Sequence, residues 1–90
     1  MIIRGDGLYL AKVFVTLRKS ILDPQGKAVH HALDSLAMNE VQEVRIGKFI
    51  EMKIKTKDKM HAERITEEAC KKLLANPVME DYSFSVEPIV

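Results

Sequence analysis

The residues able to do chemistry are few. His30 and His31 are adjacent, His61 stands alone, and Cys70 is the only thiol. Neighbours on a helix point about 100° apart, so His30 and His31 cannot readily chelate one metal ion. His30 and Asp34, at i and i+4, read instead as a surface pair. His61 has no ligand-like neighbour in sequence. Cys70 falls on the apolar side of a helical pattern with no obvious histidine and acid to activate it, so it reads as a buried core thiol. No phosphate-cradling glycine loop, nucleophile constellation or metal cluster is present. The chain is expected to have no catalytic, cofactor-binding or metal site, and free-standing enzyme action is the least favoured reading.

Contact with other chains is the remaining chemistry, and three segments are candidates for it: Asp23-Pro24-Gln25-Gly26, Arg45 with Gly47-Lys48-Phe49, and Asn76-Pro77. Each has a structural and a functional reading. Asp23 and Pro24 suffice as a helix start, yet Gly26 inside a helix costs about 1 kcal/mol against alanine, which invites either close approach of another backbone there or a partner contact by Gln25. Lys48 interrupts an apolar face, either by snorkelling past the end of the helix layer, or through a strand irregularity beside Gly47, or by contacting a partner with Arg45 and Gly47. Asn76-Pro77 is a helix terminator or a docking loop, with termination the safer reading.

The elements that must position these segments follow from periodicity. Val13, Val15 and Leu17 alternate with Lys12, Thr16 and Arg18 in a strand over residues 11–19, with Phe14 on the wetter face. Asp23 and Pro24 open a helix whose stripe is Ala28, Val29, Ala32, Leu33 and Leu36; it is expected to end near Asn39 and to pack on the sheet. From Val44 to Ile54, straight-strand parity puts Val44, Ile46, Ile50, Met52 and Ile54 on one face. A hairpin at Gly47-Lys48 would put Glu51 on the apolar face, so one long strand is favoured. Thr56 to Asp58 form a polar break with a possible N-cap. Ala62, Ile65, Ala69, Cys70, Leu73 and Leu74 then mark a second helix, with Glu67–Lys71 and Glu68–Lys72 pairs on its outer side. Asn76-Pro77 stops that helix, and Tyr82, Phe84 and Val86 alternate in a last strand.

The fold class is therefore α+β, a ferredoxin-like variant in the order β-α-β-α-β. It has an antiparallel or mixed sheet, one long central strand and two helices on one face. Residues 1–10 are expected to be a loosely held leader and residues 11–90 one domain. The middle strand, at about 36 Å, would overhang neighbours of roughly 23–30 Å. Dimerisation through that edge and the uncovered sheet face bearing Phe14 and Phe49 is expected.

Ninety residues fit one small core, for which association is a common supplement. Fourteen basic and 13 acidic residues leave a net charge of +1, too little to attract nucleic acid or an anionic membrane. A lone cysteine, the lack of a secretory pattern and the lack of a membrane-length apolar run fit a cytoplasmic protein. An RNA-binding module fits poorly, with only Phe14 and Phe49 available for base stacking. A regulatory dimer that binds a small effector at its interface is the alternative composition leaves open.

Three blocks go further: Ile21-Leu22-Asp23-Pro24-Gln25-Gly26-Lys27-Ala28-Val29, then Val44-Arg45-Ile46-Gly47-Lys48-Phe49-Ile50-Glu51, then Lys72-Leu73-Leu74-Ala75-Asn76-Pro77-Val78 with Glu80-Asp81-Tyr82. In order and spacing, over about Lys12 to Val86, they resemble the PurS family, the small subunit of phosphoribosylformylglycinamidine synthase (formylglycinamide ribonucleotide amidotransferase). The resemblance implies a non-catalytic component of an ATP- and glutamine-dependent ligase in purine biosynthesis. It would be a homodimer or a tetramer that helps join a large synthetase subunit, where ATP and magnesium act, to a glutaminase subunit.

Overall fold

The computed structural model describes residues 6–89. Strand β1 (Gly7–Leu17) is central, with β2 (Gly47–Thr56) and β3 (Glu80–Ile89) antiparallel on either side of it. The register pairs Phe14 with Phe49 and Lys12 with Glu51 on one side, and Val13 with Phe84 and Leu17 with Glu80 on the other. Alternation along all three strands makes two faces. Ala11, Val13 and Val15 point with Ile50, Met52, Ile54, Phe84 and Val86 into the core, while Leu8, Phe14, Phe49 and Ile89 lie on the open face.

The α+β class and the β-α-β-α-β order stand, with the sheet wholly antiparallel. Three placements differ from the sequence expectation. The middle strand is an edge rather than the centre. It begins at Gly47 instead of Val44, and β1 covers its whole length, so no overhang forms. β1 is longer than expected because Leu8, Tyr9 and Leu10 continue the alternation and find partners at Lys53–Lys55 and Glu87–Ile89. Residues 7–10 of the expected leader are thus strand, and residues 1–5 lie outside the described residues.

Helix α2 (Lys59–Ala69) lies on the core face. Asp58 caps it by accepting the His61 amide at 2.7 Å, and Ala62, Thr66 and Cys70 are buried beneath it. The buried Thr66 hydroxyl donates to the Ala62 carbonyl at 2.8 Å, so it carries no unsatisfied polar atom into the core. Cys70–Leu74 continue as a π-helical turn, closed by the Ala75 amide on the Cys70 carbonyl at 3.1 Å. Widening the turn reduces the rotation per residue, so the helical phase lags, and Leu73, expected in the apolar stripe, lies out at 83% exposure. Tyr82 on β3 donates its hydroxyl to Glu67, fixing the flank of α2 that faces β3.

Helix α1 (Pro24–Ser35) departs most from expectation. It makes no substantial contact with any strand, and Gly26 is its only buried residue. The stripe of Val29 and Leu36 stays exposed, Leu36 at 70%. The helix ends sooner than Asn39: Ala37 takes the left-handed conformation at φ 64°, and the Ala37 and Met38 amides donate to the Asp34 and Leu33 carbonyls, each at 3.0 Å. These bonds form a Schellman-type end with alanine in the place glycine usually takes. The radius of gyration, 17.9 Å, far exceeds the roughly 12 Å of a compact 90-residue domain, consistent with α1 standing off the sheet.

Candidate functional site

The end of the sheet where Leu17, Gly47 and Glu80 meet collects most of the candidate contact residues. Asp23, nearly buried, divides its carboxylate between two tasks. One oxygen accepts the Gly26 amide at 3.0 Å and caps α1, and the other accepts the Ile46 amide, at 2.7 Å, from the chain entering β2. The Ile46 amide first, then the Gly26 amide and the charge of Arg45, hold this carboxyl below its ordinary value. The Arg45 guanidinium donates to the carbonyls of Leu17, Arg18 and Ile21 at 3.3, 2.9 and 3.2 Å. Gly26 is needed because a Cβ there would overlap the Val44 carbonyl oxygen; this is the close backbone approach that one reading of that glycine requires. Gly47 is similar, with a Cβ falling 2.5 Å from the Val15 carbonyl oxygen.

Above this stitched base is a cleft of about 230 Å³, floored by Val15, Leu17 and Ile46 and rimmed by Gln25, Lys48 and Glu80. Lys48 shares the core-facing side of β2 with Ile50, and it reaches Glu80 at 3.8 Å. It therefore lines the cleft. The loop with Asn76 and Pro77 adjoins the same end. Glu80 accepts the Asn76 amide at 2.7 Å, and Arg18 donates to the Pro77 carbonyl while pairing with Asp81 at 3.6 Å. Asn76 also accepts the Val78 amide at 2.9 Å, so it shapes its own turn.

Asp23, Pro24, Gln25, Gly26, Arg45, Gly47 and Lys48 are thus gathered at one end, with Asn76 and Pro77 beside them. Phe49 is not. It lies on the open face, where its ring stacks on Phe14 at a centroid distance of 4.9 Å. Glu80 and Arg18 belong to this end and escaped the sequence reading. Glu80 carried a usable signal, since it extends the apolar parity of Tyr82, Phe84 and Val86 with a carboxylate, the same broken rule that singles out Lys48.

Of the other reactive groups, His30 is paired and Cys70 is enclosed, while the His31 side chain is exposed. His30 meets the Val41 carbonyl at 2.8 Å and Asp34 at 4.0 Å, the surface pair expected from spacing. Cys70 is fully buried, and burial, with the nearby Glu67 charge, pushes its thiol up. Among the described residues no group of three or more His, Cys, Asp or Glu side chains could hold a metal ion, and no helix is long and apolar enough to cross a membrane.

An α+β unit whose Asp23 and Arg45 are bonded to its own backbone, and whose helix stripe and sheet face lie open, belongs to the class of small subunits that act by contact. A sequence model described as PurS, phosphoribosylformylglycinamidine (FGAM) synthase, matches residues 10–88. The PurS subunit of that synthase from Bacillus subtilis is 52% identical over 83 residues, covering 92% of this chain and 98% of the relative. Among solved structures, Methanocaldococcus jannaschii PurS, one of the subunits of formylglycinamide ribonucleotide amidotransferase in the purine biosynthetic pathway, superposes with a TM-score of 0.82 at 41% identity, covering 91% of this chain and 99% of that one. A chain of PurLQS from Thermotoga maritima gives 0.80 at 30% identity, covering 91% and 98%. The chain belongs to the PurS family, as a subunit of phosphoribosylformylglycinamidine synthase, a ligase of purine biosynthesis.

Proposed function

We propose that this chain is the small, non-catalytic subunit that pairs with itself and holds the large synthetase subunit and the glutaminase subunit in one cytoplasmic complex. Formylglycinamide ribonucleotide is converted there to its amidine with ATP, magnesium acting on the large subunit, and nitrogen from glutamine. The observation that carries the reading is the bonding of Asp23 and Arg45 to backbone of this chain. Both Asp23 oxygens and one Arg45 guanidinium nitrogen are bonded to backbone of this chain, which sets these groups to hold shape rather than to transfer protons. The cleft beside them, with its apolar floor and its Lys48–Glu80 rim, is a surface to be contacted.

Reconstitution tests this reading. Synthase activity with glutamine as donor is measured with the matching large and glutaminase subunits, with and without this chain. Activity that requires it, together with elution of all three chains in one peak, is the expected result. Equal activity without it overturns the proposal and brings forward the effector-binding dimer.

A further inference from the structure

We infer that the cleft at the end of the sheet binds a free α-amino acid with an uncharged side chain, a function added to the assembly role. Its two rim charges come from opposite edges of the sheet. Lys48 on β2 lies opposite Val15, and Glu80 on β3 lies opposite Leu17, with β1 running between them. Edge strands on either side of a third are about 10 Å apart. The two side chains nevertheless lean across β1 until Lys48 Nζ and Glu80 Oε2 are 3.8 Å apart over the apolar floor.

That spacing exceeds the roughly 2.7–2.9 Å of a formed charge-assisted hydrogen bond, so the pair attracts without closing. Glu80 is held in place: its Oε1 accepts the Asn76 amide at 2.7 Å, and its side chain is 18% exposed. Lys48, at 58%, is the movable partner. Two opposite charges side by side are the complement of a ligand that carries the same two charges side by side. The ammonium of an α-amino acid donates to Glu80 Oε2 while its carboxylate accepts from Lys48 Nζ, so four charges alternate in sign around the head group.

Charge balance selects a zwitterion over a simple ion. Both Asp23 oxygens accept backbone amides and Arg45 donates to carbonyls of the preceding loop, so Lys48 and Glu80 are the charges left to meet a ligand in the cleft. An anion would gain Lys48 and be repelled by Glu80, and a cation would meet the reverse. Volume sets the size. At about 230 Å³ the cleft is smaller than the roughly 300–1,000 Å³ of sites for drug-sized ligands, which suits a molecule as small as an amino acid. The floor of Val15, Leu17 and Ile46 takes an aliphatic stem, and Gln25 on the rim offers an amide that both donates and accepts. Leucine and, above it, glutamine are the side chains this lining fits, whereas a charged end would be desolvated without a partner.

Calorimetry on the full chain by itself, with L-glutamine and L-leucine up to about 10 mM, tests the site. Saturable binding of both is expected. N-acetyl-L-glutamine lacks the ammonium and L-glutamine methyl ester lacks the carboxylate; each is expected to bind about tenfold or more weakly than glutamine, as are L-glutamate and L-lysine. Lys48→Met keeps the stem and Glu80→Gln keeps an acceptor for the Asn76 amide, while each removes one charge. Both variants are expected to weaken glutamine binding by about tenfold or more with circular dichroism unchanged. Should a variant misfold, the ligand series decides without it. No saturable binding by the native chain, equal binding of the acetylated or esterified ligand, or undiminished binding by both folded variants would overturn the site. Binding that vanishes once the large and glutaminase subunits are added would overturn it too, and would give the cleft to one of them. Because binding is read on this chain alone, its failure leaves the reconstitution result, and the assembly role with it, untouched.

Discussion

The Asp23 carboxylate accepts the amide of Ile46, 23 positions later in the chain, at 2.7 Å, and this bond makes the start of α1 and the entry to β2 a single joint. Asn at this position keeps the shape but weakens two charge-assisted bonds. Asp23→Asn is therefore expected to lower the melting temperature near neutral pH by several degrees. Because the folded carboxyl lies below its ordinary value of 3.8, its contribution is present above that value and is lost as pH falls through the lower folded value. The native chain should lose stability over that acidic range more steeply than the variant. Thermal melts at neutral pH and below pH 4 provide the check, and identical slopes would remove the joint from the account.

Gly26→Ala would gain about 1 kcal/mol of helix propensity if space were the only concern. The added Cβ meets the Val44 carbonyl oxygen, a backbone atom that cannot turn aside, so the net effect is expected to be destabilising by about 2 kcal/mol or more. Urea titration measures it. A stabilised variant would show that the joint has slack.

Ala37→Gly should act in the opposite sense. At φ 64° an L-residue with a Cβ is held about 1–2 kcal/mol above glycine, and the two Schellman bonds survive the change. A rise of roughly 4–8 °C in melting temperature is expected for each kcal/mol recovered. No rise, or a fall, would mean that α1 does not end with Ala37 left-handed in solution.

Tyr82 is pushed up to about 12, first by its hydrogen bond to Glu67 and then by burial. A raised folded value favours the protonated phenol, so its contribution to stability is complete below the ordinary value of 10.0 and disappears as pH rises through about 12. Tyr82→Phe is expected to be less stable at neutral pH, with the difference narrowing above pH 10. Chemical denaturation at pH 8 and at pH 11 would show it, and a constant difference would mean that the hydroxyl contributes nothing through Glu67.

The Phe14–Phe49 stack lies on the open sheet face, each ring about half exposed at 50% and 53%. Replacing both with serine leaves the buried clusters around Val13, Val15 and Cys70 untouched, so unfolding should shift little. If this face is a contact surface, co-elution with the other synthase subunits should fail while circular dichroism stays native. Unimpaired co-elution would free the face from that role.

Much of this protein was legible in its one-dimensional pattern. The alternation through Val13, Val15 and Leu17, the cap at Asp23-Pro24, the buried thiol at Cys70 and the β-α-β-α-β order all rest on local periods that neighbouring residues enforce. The blocks around Asp23, Gly47 and Asn76 carried the family as well. Tertiary structure decided the rest, since it depends on partners far apart in sequence. Only pairing energy could place β1 rather than β2 at the centre, because strand order leaves no mark on a strand's own alternation. Arg45 became a clamp because three carbonyls from a distant loop converge on it. The π-helical turn moved Leu73 off the core by shifting helical phase where a regular pattern predicted none. The stripe of α1 was plain in the sequence, but a periodic pattern states only that a face is apolar, and it is the tertiary structure that leaves this helix off the sheet of its own chain.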